Sequence, residues 1–421
     1  MADLGPKNMV SPPVQGQPKQ PRWPQTAPAL RAPERSRTVF RVLALAAMAP
    51  LAAGIIFFGF RAAAVAVLCV GSCLLFEWAC FRVMGTPAMN SRTHATLTGL
   101  LLALTLPPQV PWYVPVVGAA FATLVGKAIF GGVGHFLWQP ALVGRLAVAV
   151  MFSSVAQPAL WPLLSPANVI TGDVRTAKAP AGYAGWSAAA QPEEGAQGYL
   201  LRRPAAMLRG LYDPHRPRYA TIRDAILEQP PIRDLLYGSS VGGIGETSAV
   251  ILLLVGVYLM YRHYVPWPLP VAMILSAAAV VAVAPVQLAG PSGQIRTVWW
   301  PLLAEGWPVG FTYMNYHLAG GELLLAAILL APEMTSRPVT RGGQVLFGIG
   351  CGTLAMLLRL YVLFPLDAYI AILVMNTFTP VLELITRPRV LGKRAWWQIP
   401  EERQIRNPKF ETRNESKTGA G

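Results

Sequence analysis

The sequence predicts an all-α integral membrane protein with about ten transmembrane helices, arranged as two inverted five-helix repeats with a large outer loop between them. Composition is the first reason: of 421 residues, 53% are hydrophobic and 13% are charged, and the mean hydropathy is +0.42. Soluble domains carry about twice that share of charge. The other two reasons are a series of apolar runs long enough to cross a bilayer and a similarity between the two halves of that series.

Ten apolar runs can be marked along the chain, where crossing roughly 30 Å of hydrocarbon takes about 17 to 25 residues. They are Phe40–Phe60, Ala62–Val83, Ala95–Leu106, Trp112–Phe130, Leu137–Ser153, Ser248–Val265, Leu269–Pro285, Leu318–Ala331, Gly343–Phe364 and Ala368–Ile385. The third and eighth runs are short and are bounded by glycine or proline. Such runs are typical of broken or half-inserted helices, whose irregular backbone survives at membrane depth only beside protein or a cavity.

The segments between the runs divide the chain into five parts. Residues 1–38 are predicted to be a disordered cytoplasmic tail, because prolines and scattered charges precede the first run and no signal-peptide pattern is found. The membrane repeats are predicted over residues 39–155 and 241–390. An extracytoplasmic loop is predicted over residues 156–240, and a second cytoplasmic tail over residues 391–421.

Positive charge predicts the orientation of these spans. With both termini in the cytoplasm, the outer loops keep mainly Arg61, and most other lysines and arginines near the runs lie inside, as the positive-inside rule requires. The cytoplasmic residues are Arg82, Arg92, Lys127, Arg262, Arg337, Arg341, Arg387, Arg389, Lys393 and Arg394. The charge pattern therefore supports ten spans with both termini in the cytoplasm.

The net charge of +15 also bears on binding partners. Because the basic residues gather beside the apolar runs and in the tails, anionic lipid is the expected partner and nucleic acid is not. Four cysteines, Cys69, Cys73, Cys80 and Cys351, fall within apolar runs, where neither a disulfide framework nor a zinc site is expected. Cys69 and Cys73 share a helix face, so helix packing is one interpretation and a metal shared with a partner is another.

A similarity between the halves suggests how they are related. "TGLLLALTLPP" (Thr98–Pro108) and "GGELLLAAILLAPEMTSRP" (Gly320–Pro338) are each the third span of a five-span half, and each ends in a turn that contains proline. Because five is odd, the second half enters the membrane with the opposite orientation. This predicts an inverted repeat with a site at the interface of its halves.

A second similarity involves glycine. "GGVG" (Gly131–Gly134) and "GGIG" (Gly242–Gly245) precede spans that are not equivalent in the repeat. Each is predicted to end a polar turn and open a helix, where unpaired N–H groups favour an anion such as the phosphate of a cofactor. Close helix crossing through glycine is the other interpretation.

Ionisable residues within the spans are stronger indicators, since a charge there costs at least about 2.5 kcal/mol. They are Arg145, Glu246, Glu322, Arg359 and Glu383. Arg145 and Arg359 lie too deep to reach the membrane surface, so both are predicted to face the interior of the bundle and to have partners. An ion path and a structural salt bridge are two interpretations of these charges.

Four motifs, in order, resemble the membrane subunit shared by Rnf electron-transport complexes and the sodium-pumping NADH:quinone reductase, the RnfD/NqrB family. They are "LTGLLLALTLPPQVPWY" (Leu97–Tyr113), "FGGVGHFLWQPALVGR" (Phe130–Arg145), "GGIGETSAVILLL" (Gly242–Leu254) and "RPVTRGGQVLFGIGCGTLAMLLRL", followed by "AILVMNTFTPVLE" (Arg337–Glu383). The resemblance covers roughly residues 40–390. It implies a subunit that works with other membrane and peripheral subunits to couple electron transfer to sodium or proton movement.

The resemblance also implies flavins. In that family one FMN is joined through its phosphate to the threonine of a D-x-x-[ST]-G-A-T-P motif on the outer loop. A second, non-covalent flavin is held among the spans. The protein places such a cofactor, and the flavin supplies the redox chemistry.

The matching stretch of this sequence is "GDVRTAKAP", residues Gly172–Pro180, and the acceptor position is Ala179. Alanine has no hydroxyl group, so covalent FMN is predicted to be absent. Thr176 keeps a hydroxyl three residues earlier and is the alternative attachment residue, in a shifted register.

A non-covalent flavin, either FMN or riboflavin, remains an expectation. The family's "G-H-N-x-F-N-P-A-L" region departs here too, with Phe136 and Gln139 in place of asparagines, and Glu333 stands where the family has aspartate. The predicted surroundings of this flavin are Gly131, Gly132, Gly134, His135 and Gly245.

Three functions are therefore compared. The preferred one is the membrane subunit of an Rnf- or Nqr-like ion-translocating complex without covalent FMN. A divergent relative that serves as a non-redox structural anchor in a respiratory or photosynthetic assembly is the second. A secondary transporter for a small solute, suggested by the inverted repeat and the buried charges, is the third. No catalytic residue and no metal site are predicted.

Overall fold

The structure, a computed structural model, is predominantly helical. It describes residues 36–85, 91–153, 161–162, 200–201, 208–212, 219–227, 229, 232–237, 242–290, 294–362 and 366–387. The predictions for the flavin-attachment stretch at residues 172–180, for residues 1–35 of the first tail and for the second tail lie outside these residues.

The helices follow one another with short connections in each half. Their bounds are α1 Ser36–Phe58, α2 Phe60–Met84, α3 Arg92–Thr105, α4 Tyr113–Thr123, α5 Pro140–Met151, α6 Ile222–Leu227, α7 Ile232–Tyr237, α8 Ala249–Tyr261, α9 Pro268–Val283, α10 Pro301–Ala304, α11 Trp307–Ala319, α12 Leu323–Leu325, α13 Arg341–Leu357 and α14 Asp367–Ile385. Three of them continue into one π-helical turn: α4 into Leu124–Ala128, α12 into Ala326–Leu330 and α13 into Leu358–Val362.

Strands are short. β1 (Trp161–Pro162) pairs with β2 (Leu200–Leu201), and β3 (Val286–Ala289) pairs with β4 (Ile295–Val298) in an antiparallel hairpin. In this hairpin Val286 lies opposite Val298. A 3₁₀ turn also forms at Arg209–Leu211.

Four helices are long and apolar enough to cross a membrane: α1, α2, α13 with its π turn, and α14. Four shorter helices, α4 with its π turn, α5, α8 and α9, are also apolar. Large apolar side chains such as Leu45, Val67 and Leu254 are more than half exposed on the outside of these helices. An exposed apolar surface of this kind is what lipid covers. The chain is a membrane protein.

Each of the ten predicted runs contains helical residues, but the boundaries differ, and four described helices, α6, α7, α10 and α11, were not predicted. The run Leu318–Ala331 is broken at residues 320–322: Leu318 and Ala319 are the last residues of α11, and α12 with its π turn begins at Leu323. Before it lies α11, which the apolar pattern did not predict because Thr312, Asn315 and His317 interrupt its hydrophobic residues. The number of membrane crossings and the inverted repeat stay predictions.

Small residues allow the closest helix contacts. A Cβ atom on Gly352 of α13 would lie 2.1 Å from the carbonyl oxygen of Met273 in α9, and one on Gly144 of α5 would lie 2.3 Å from the carbonyl oxygen of Gly118 in α4. Contacts of this kind let helix backbones approach one another, which is how helices commonly associate in a membrane.

Two helices end inside the bundle. α3 ends at Thr105, where Leu106 turns to an extended conformation and two prolines follow, so the helix cannot continue. α11 ends at Ala319, and Gly321 then takes a φ of +132° that separates it from α12. Thr105 and His317, in the last turns of these helices, are both buried. The two breaks position most of the candidate site.

Candidate functional site

Each broken helix receives an arginine at its C-terminal end. The Nε atom of Arg145 donates to the carbonyl oxygen of Thr105 in α3 at 3.0 Å, and the Nη1 atom of Arg359 donates to the carbonyl oxygen of His317 in α11 at 2.5 Å. Both arginines are only 1% exposed. The last carbonyls of a helix lack partners within the helix and carry its partial negative charge, so a guanidinium group is well suited to both positions.

Arg359 also forms a buried ion pair. Its Nε and Nη2 atoms donate to the two carboxylate oxygens of Asp367, at 2.7 and 2.9 Å. Asp367 is the first residue of α14, and its Oδ1 atom also accepts the backbone N–H of Ala368 at 2.6 Å. A two-pronged pair of this type fixes the orientation of both side chains and is among the strongest polar contacts in proteins.

Glu246 lies on the loop that leads into α8. Its Oε2 atom accepts the N–H of Gly243 at 2.9 Å, and its Oε1 atom accepts the hydroxyl of Tyr369 at 2.7 Å. The loop itself is attached to the end of α3, because the N–H groups of Ile244 and Gly245 donate to the carbonyl oxygens of Leu106 and Leu104, at 3.0 and 2.8 Å.

These contacts join into one group, which we call the Arg359 cluster. Glu246 and Glu322 lie close enough to act electrostatically on Arg359, and Arg145 acts in the same way on Tyr369. The cluster consists of Arg145, Glu246, Glu322, Arg359, Asp367 and Tyr369. The structure therefore brings together four of the five ionisable residues predicted from the spans.

Glu383 is the exception among those five. It is half-buried near the end of α14, and its Oε1 atom accepts the N–H of Val339 at 2.9 Å. That contact ties α14 to the connection before α13 and lies outside the Arg359 cluster.

A second buried group, the Lys127 cluster, was not predicted as a site. The ammonium group of Lys127 donates to Oε2 of Glu77 at 2.5 Å, and the other oxygen of Glu77 accepts the N–H of Ser91 at 2.8 Å. His94 Nε2 lies 3.0 Å from Oε1 of Glu333. Glu333 acts electrostatically on Lys127, so the two pairs belong together. The cluster consists of Glu77, His94, Lys127 and Glu333.

Lys127 corrects one expectation. It was counted among the cytoplasmic residues that flank the membrane and attract lipid, but its side chain is 2% exposed and paired inside the protein. Arg145 was selected because it is an ionisable residue within an apolar run. The same criterion applies to Glu77, which lies within the apolar run of α2. Lys127 gave no such signal, because it falls near the end of its run, where a charged residue is ordinary.

The glycine motifs do not open helices, so that prediction was wrong. α5 begins at Pro140, and its N-cap Gln139 accepts the N–H of Leu142 at 2.8 Å. α8 begins at Ala249 and is capped by Ser248. The orphan N–H groups that an anion would use are thus partly satisfied by side chains.

The glycines themselves serve different purposes. Gly131, Gly132 and Gly134 have φ values of +93°, +112° and +94°, so the turn requires a backbone that other residues rarely adopt. Gly245 is required for packing, since a Cβ atom there would lie 2.7 Å from Cβ of Leu104. His135 is exposed on the first of these turns.

The predicted flavin-attachment residues, Thr176 and Ala179, lie outside the described residues.

The four cysteines are free and buried, which favours packing over a metal shared with a partner. In the part of the chain that the structure describes, no group of three or more histidine, cysteine, aspartate or glutamate residues could hold a metal ion.

Comparisons with known proteins match almost the whole chain. Residues 24–392 match the NQR2, RnfD, RnfE family, a range that begins within the predicted first tail. The D subunit of the ion-translocating oxidoreductase complex of Halorhodospira halophila is 31% identical over 87% of this chain and 94% of its own length. The D subunit of the proton-translocating ferredoxin:NAD(+) oxidoreductase complex of Clostridium ljungdahlii is 28% identical over 88% and 96%. Its counterpart in the Na(+)-translocating ferredoxin:NAD(+) oxidoreductase complex of Acetobacterium woodii is 28% identical over 87% and 94%.

Proposed function

The chain belongs to the NQR2, RnfD, RnfE family, and on that premise we propose that it is the membrane subunit of an Rnf-like complex that couples electron transfer to ion translocation. Relatives of similar length are named as the D subunits of such complexes. The partners proposed for it are the other membrane and peripheral subunits, with anionic lipid around its basic ends.

The observation that carries the proposal is the pair of buried charge clusters. Buried ionisable groups are costly among apolar helices, and they are retained where they serve ion paths, proton relays or helix contacts. The Arg359 cluster contributes three carboxylates and lies where α3 and α11 break. The Lys127 cluster contributes two more, beside the N-terminal turn of α3 and the connection after α12. Carboxylates at both ends of α3 are suitable stations for a cation or a proton.

Sequence similarity to the relatives does not indicate which ion is translocated. Two relatives that share the same 28% identity with this chain are named for protons and for sodium, respectively. The carboxylates of the Arg359 cluster can accept either a proton or Na⁺. A buried site strengthens the attraction between a carboxylate and a cation, and this attraction must offset the cost of removing water from both.

Neutralising the cluster tests the proposal. With the complex in vesicles, Glu246→Gln and Glu322→Gln are each expected to lower ion uptake per electron transferred by about tenfold, a barrier increase of about 1.4 kcal/mol. Uptake of ²²Na⁺ and the quenching of a pH-sensitive dye distinguish the two ions. Glu383→Gln is the matched control, because its carboxylate lies outside the cluster. Equal uptake by all three variants and the parent complex would rule out this path.

We propose the ten-span inverted repeat on one further correspondence. The fourth run of each half forms a helix that ends in a π turn, and each π turn carries a buried cation, Lys127 in the first half and Arg359 in the second. In the inverted arrangement these cations lie toward opposite faces of the membrane. The orientation proposed places both termini in the cytoplasm of a bacterial inner membrane.

We also propose that the subunit carries no covalent FMN, because the acceptor position is Ala179. After acid precipitation of the purified complex, the band of this subunit is expected to show no flavin fluorescence. The triple variant Ala177→Gly, Lys178→Ala, Ala179→Thr restores the family motif and is expected to give a fluorescent band when a flavin transferase is present. Fluorescence in the unmodified band would contradict the proposal and direct attention to Thr176.

A non-covalent flavin is proposed beside the turn of Gly131–Gly134. Flavin released by acid into the supernatant, from this subunit purified alone, is the expected result. A subunit that releases no flavin and whose cluster variants leave ion uptake unchanged would instead fit a structural anchor.

A further inference from the structure

A small cavity of about 300 Å³ opens near the start of α13. It is formed by the turn between α8 and α9 on one side and by the connection from α12 to α13 on the other. Among its lining residues are Arg337, Arg341, His263 and Gln344, and none of the lining residues that the structure describes is acidic. The cavity is separate from both buried charge clusters.

Arg337 is the unusual residue of this cavity. Its side chain is half-buried, and its Nε atom is buried with no hydrogen-bond partner among the described residues. Burial lowers the pKa of its guanidinium group from the usual value. Two acidic residues of the same region are already in use, since Glu333 faces His94 and Glu383 accepts the N–H of Val339.

The other buried cations show what Arg337 lacks. Lys127 is paired with Glu77, and Arg359 is paired with Asp367. A cation removed from water is tolerated when an anion or several acceptors replace the water. Within the described part of the chain, Arg337 has no such anion, so a ligand that brings a negative charge into the cavity would satisfy its guanidinium group.

The backbone around the cavity also favours an anion. Arg341 is the first residue of α13, a helix of 17 residues, and the N-terminal end of such a helix carries partial positive charge. His263 is held in a left-handed conformation, with φ of +61°, at the end of α8, and it borders the cavity. Arg341 and His263 are exposed, so a ligand can reach them from solvent or from the membrane surface.

We propose that this cavity binds a phosphate group, supplied either by the headgroup of an anionic phospholipid or by a soluble phosphate. The guanidinium groups of Arg337 and Arg341 donate to the phosphate oxygens, a contact for which the planar fork of arginine is well suited. Trp267, exposed at the rim, is the kind of residue that lies at the level of lipid headgroups.

The test uses the intact complex and two substitutions that each remove one positive charge from an arginine. Arg337→Gln removes the half-buried guanidinium group. Arg262→Gln is the matched control, since Arg262 is exposed next to His263 but does not line the cavity. Arg337→Lys is the second variant. It retains the positive charge, so it still tests binding if Arg337→Gln fails to fold.

Two probes distinguish the sources of phosphate. Native mass spectrometry of complex exchanged into phosphatidylglycerol or phosphatidylcholine counts retained lipids, and titration with inorganic phosphate follows the thermal transition. Arg337→Gln is expected to weaken binding of the effective probe about tenfold, while Arg262→Gln leaves it unchanged and Arg337→Lys weakens it less. Binding of phosphatidylglycerol alone identifies a lipid site, and a response to inorganic phosphate identifies a soluble ligand.

Two results would overturn the proposal. One is equal weakening by Arg337→Gln and Arg262→Gln, which would show general attraction to a basic surface. The other is no binding of either probe by the folded parent complex. Neither measurement uses ion uptake, so the phosphate site and the proposed transport function are tested independently.

Discussion

Replacing Arg359 with glutamine is expected to destabilise the folded subunit by about 3 to 5 kcal/mol, the cost of leaving a buried charge without its partner. Asp367 would keep its carboxylate but lose both guanidinium contacts, and the carbonyl oxygen of His317 would lose its donor. The free energy of unfolding, measured in mixed detergent micelles with increasing denaturing detergent, checks the value. Arg262→Gln, an exposed arginine, is expected to change it by less than about 0.5 kcal/mol.

A double variant separates the ion pair from its surroundings. Arg359→Gln with Asp367→Asn removes both charges, so we expect it to be more stable than Arg359→Gln alone. Double-variant analysis gives the coupling between the two residues, which for contacting pairs amounts to about 0.5 to 3 kcal/mol. A double variant whose loss equals the sum of the two single losses would show that the pair does not stabilise the fold.

Gly352→Leu is expected to have the largest effect on packing. A Cβ atom at this position would lie 2.1 Å from the carbonyl oxygen of Met273 and 2.1 Å from Oγ of Ser276, so α9 and α13 would have to separate. A backbone carbonyl cannot rotate away, and overpacking of a tight contact typically costs about 1 to 3 kcal/mol or more. The expected result is loss of the folded subunit from the membrane, measured by fluorescence-detected size exclusion.

Gly71→Leu is the matched control for that substitution. Gly71 is also within a helix, but its Cβ position has no neighbour within 4 Å and the residue is exposed on α2. The same change of side chain is expected to leave the elution profile intact. If both variants behaved alike, the close approach of α9 and α13 would not be the cause.

The apolar runs could be found from sequence because one long hydrophobic stretch is enough to indicate a helix. The hairpin of β3 and β4 and the helix α11 could not, because α11 mixes aromatic, apolar and polar residues without a long apolar stretch. Contacts with residues far along the chain fix the segment that leads into it: Glu305, two residues before α11, accepts the N–H groups of Ile222 and Arg223.

The candidate site could be predicted only in part, for a related reason. A charge such as Arg145 or Arg359 stands out within an apolar run, so its burial could be inferred from its own surroundings. The partner of a buried charge cannot be read from spacing: Lys127 meets Glu77 50 positions away, and His94 meets Glu333 239 positions away. Asp367 begins its helix, where an acidic residue is common for reasons of capping alone.

The two arginines at the ends of the broken helices have an electrical consequence. A cation that entered this part of the protein would find the carbonyl oxygens of Thr105 and His317, at the partly negative ends of two helices, already bound by arginines of the chain. A membrane voltage of 100 mV changes the free energy of a monovalent ion that crosses the full field by about 2.3 kcal/mol. Removing one partner of a buried ion pair, such as Arg359 with Asp367, costs more, about 3 to 5 kcal/mol. On the proposed path, voltage alone would not open a leak, and the stored gradient would be protected whenever electrons are not flowing.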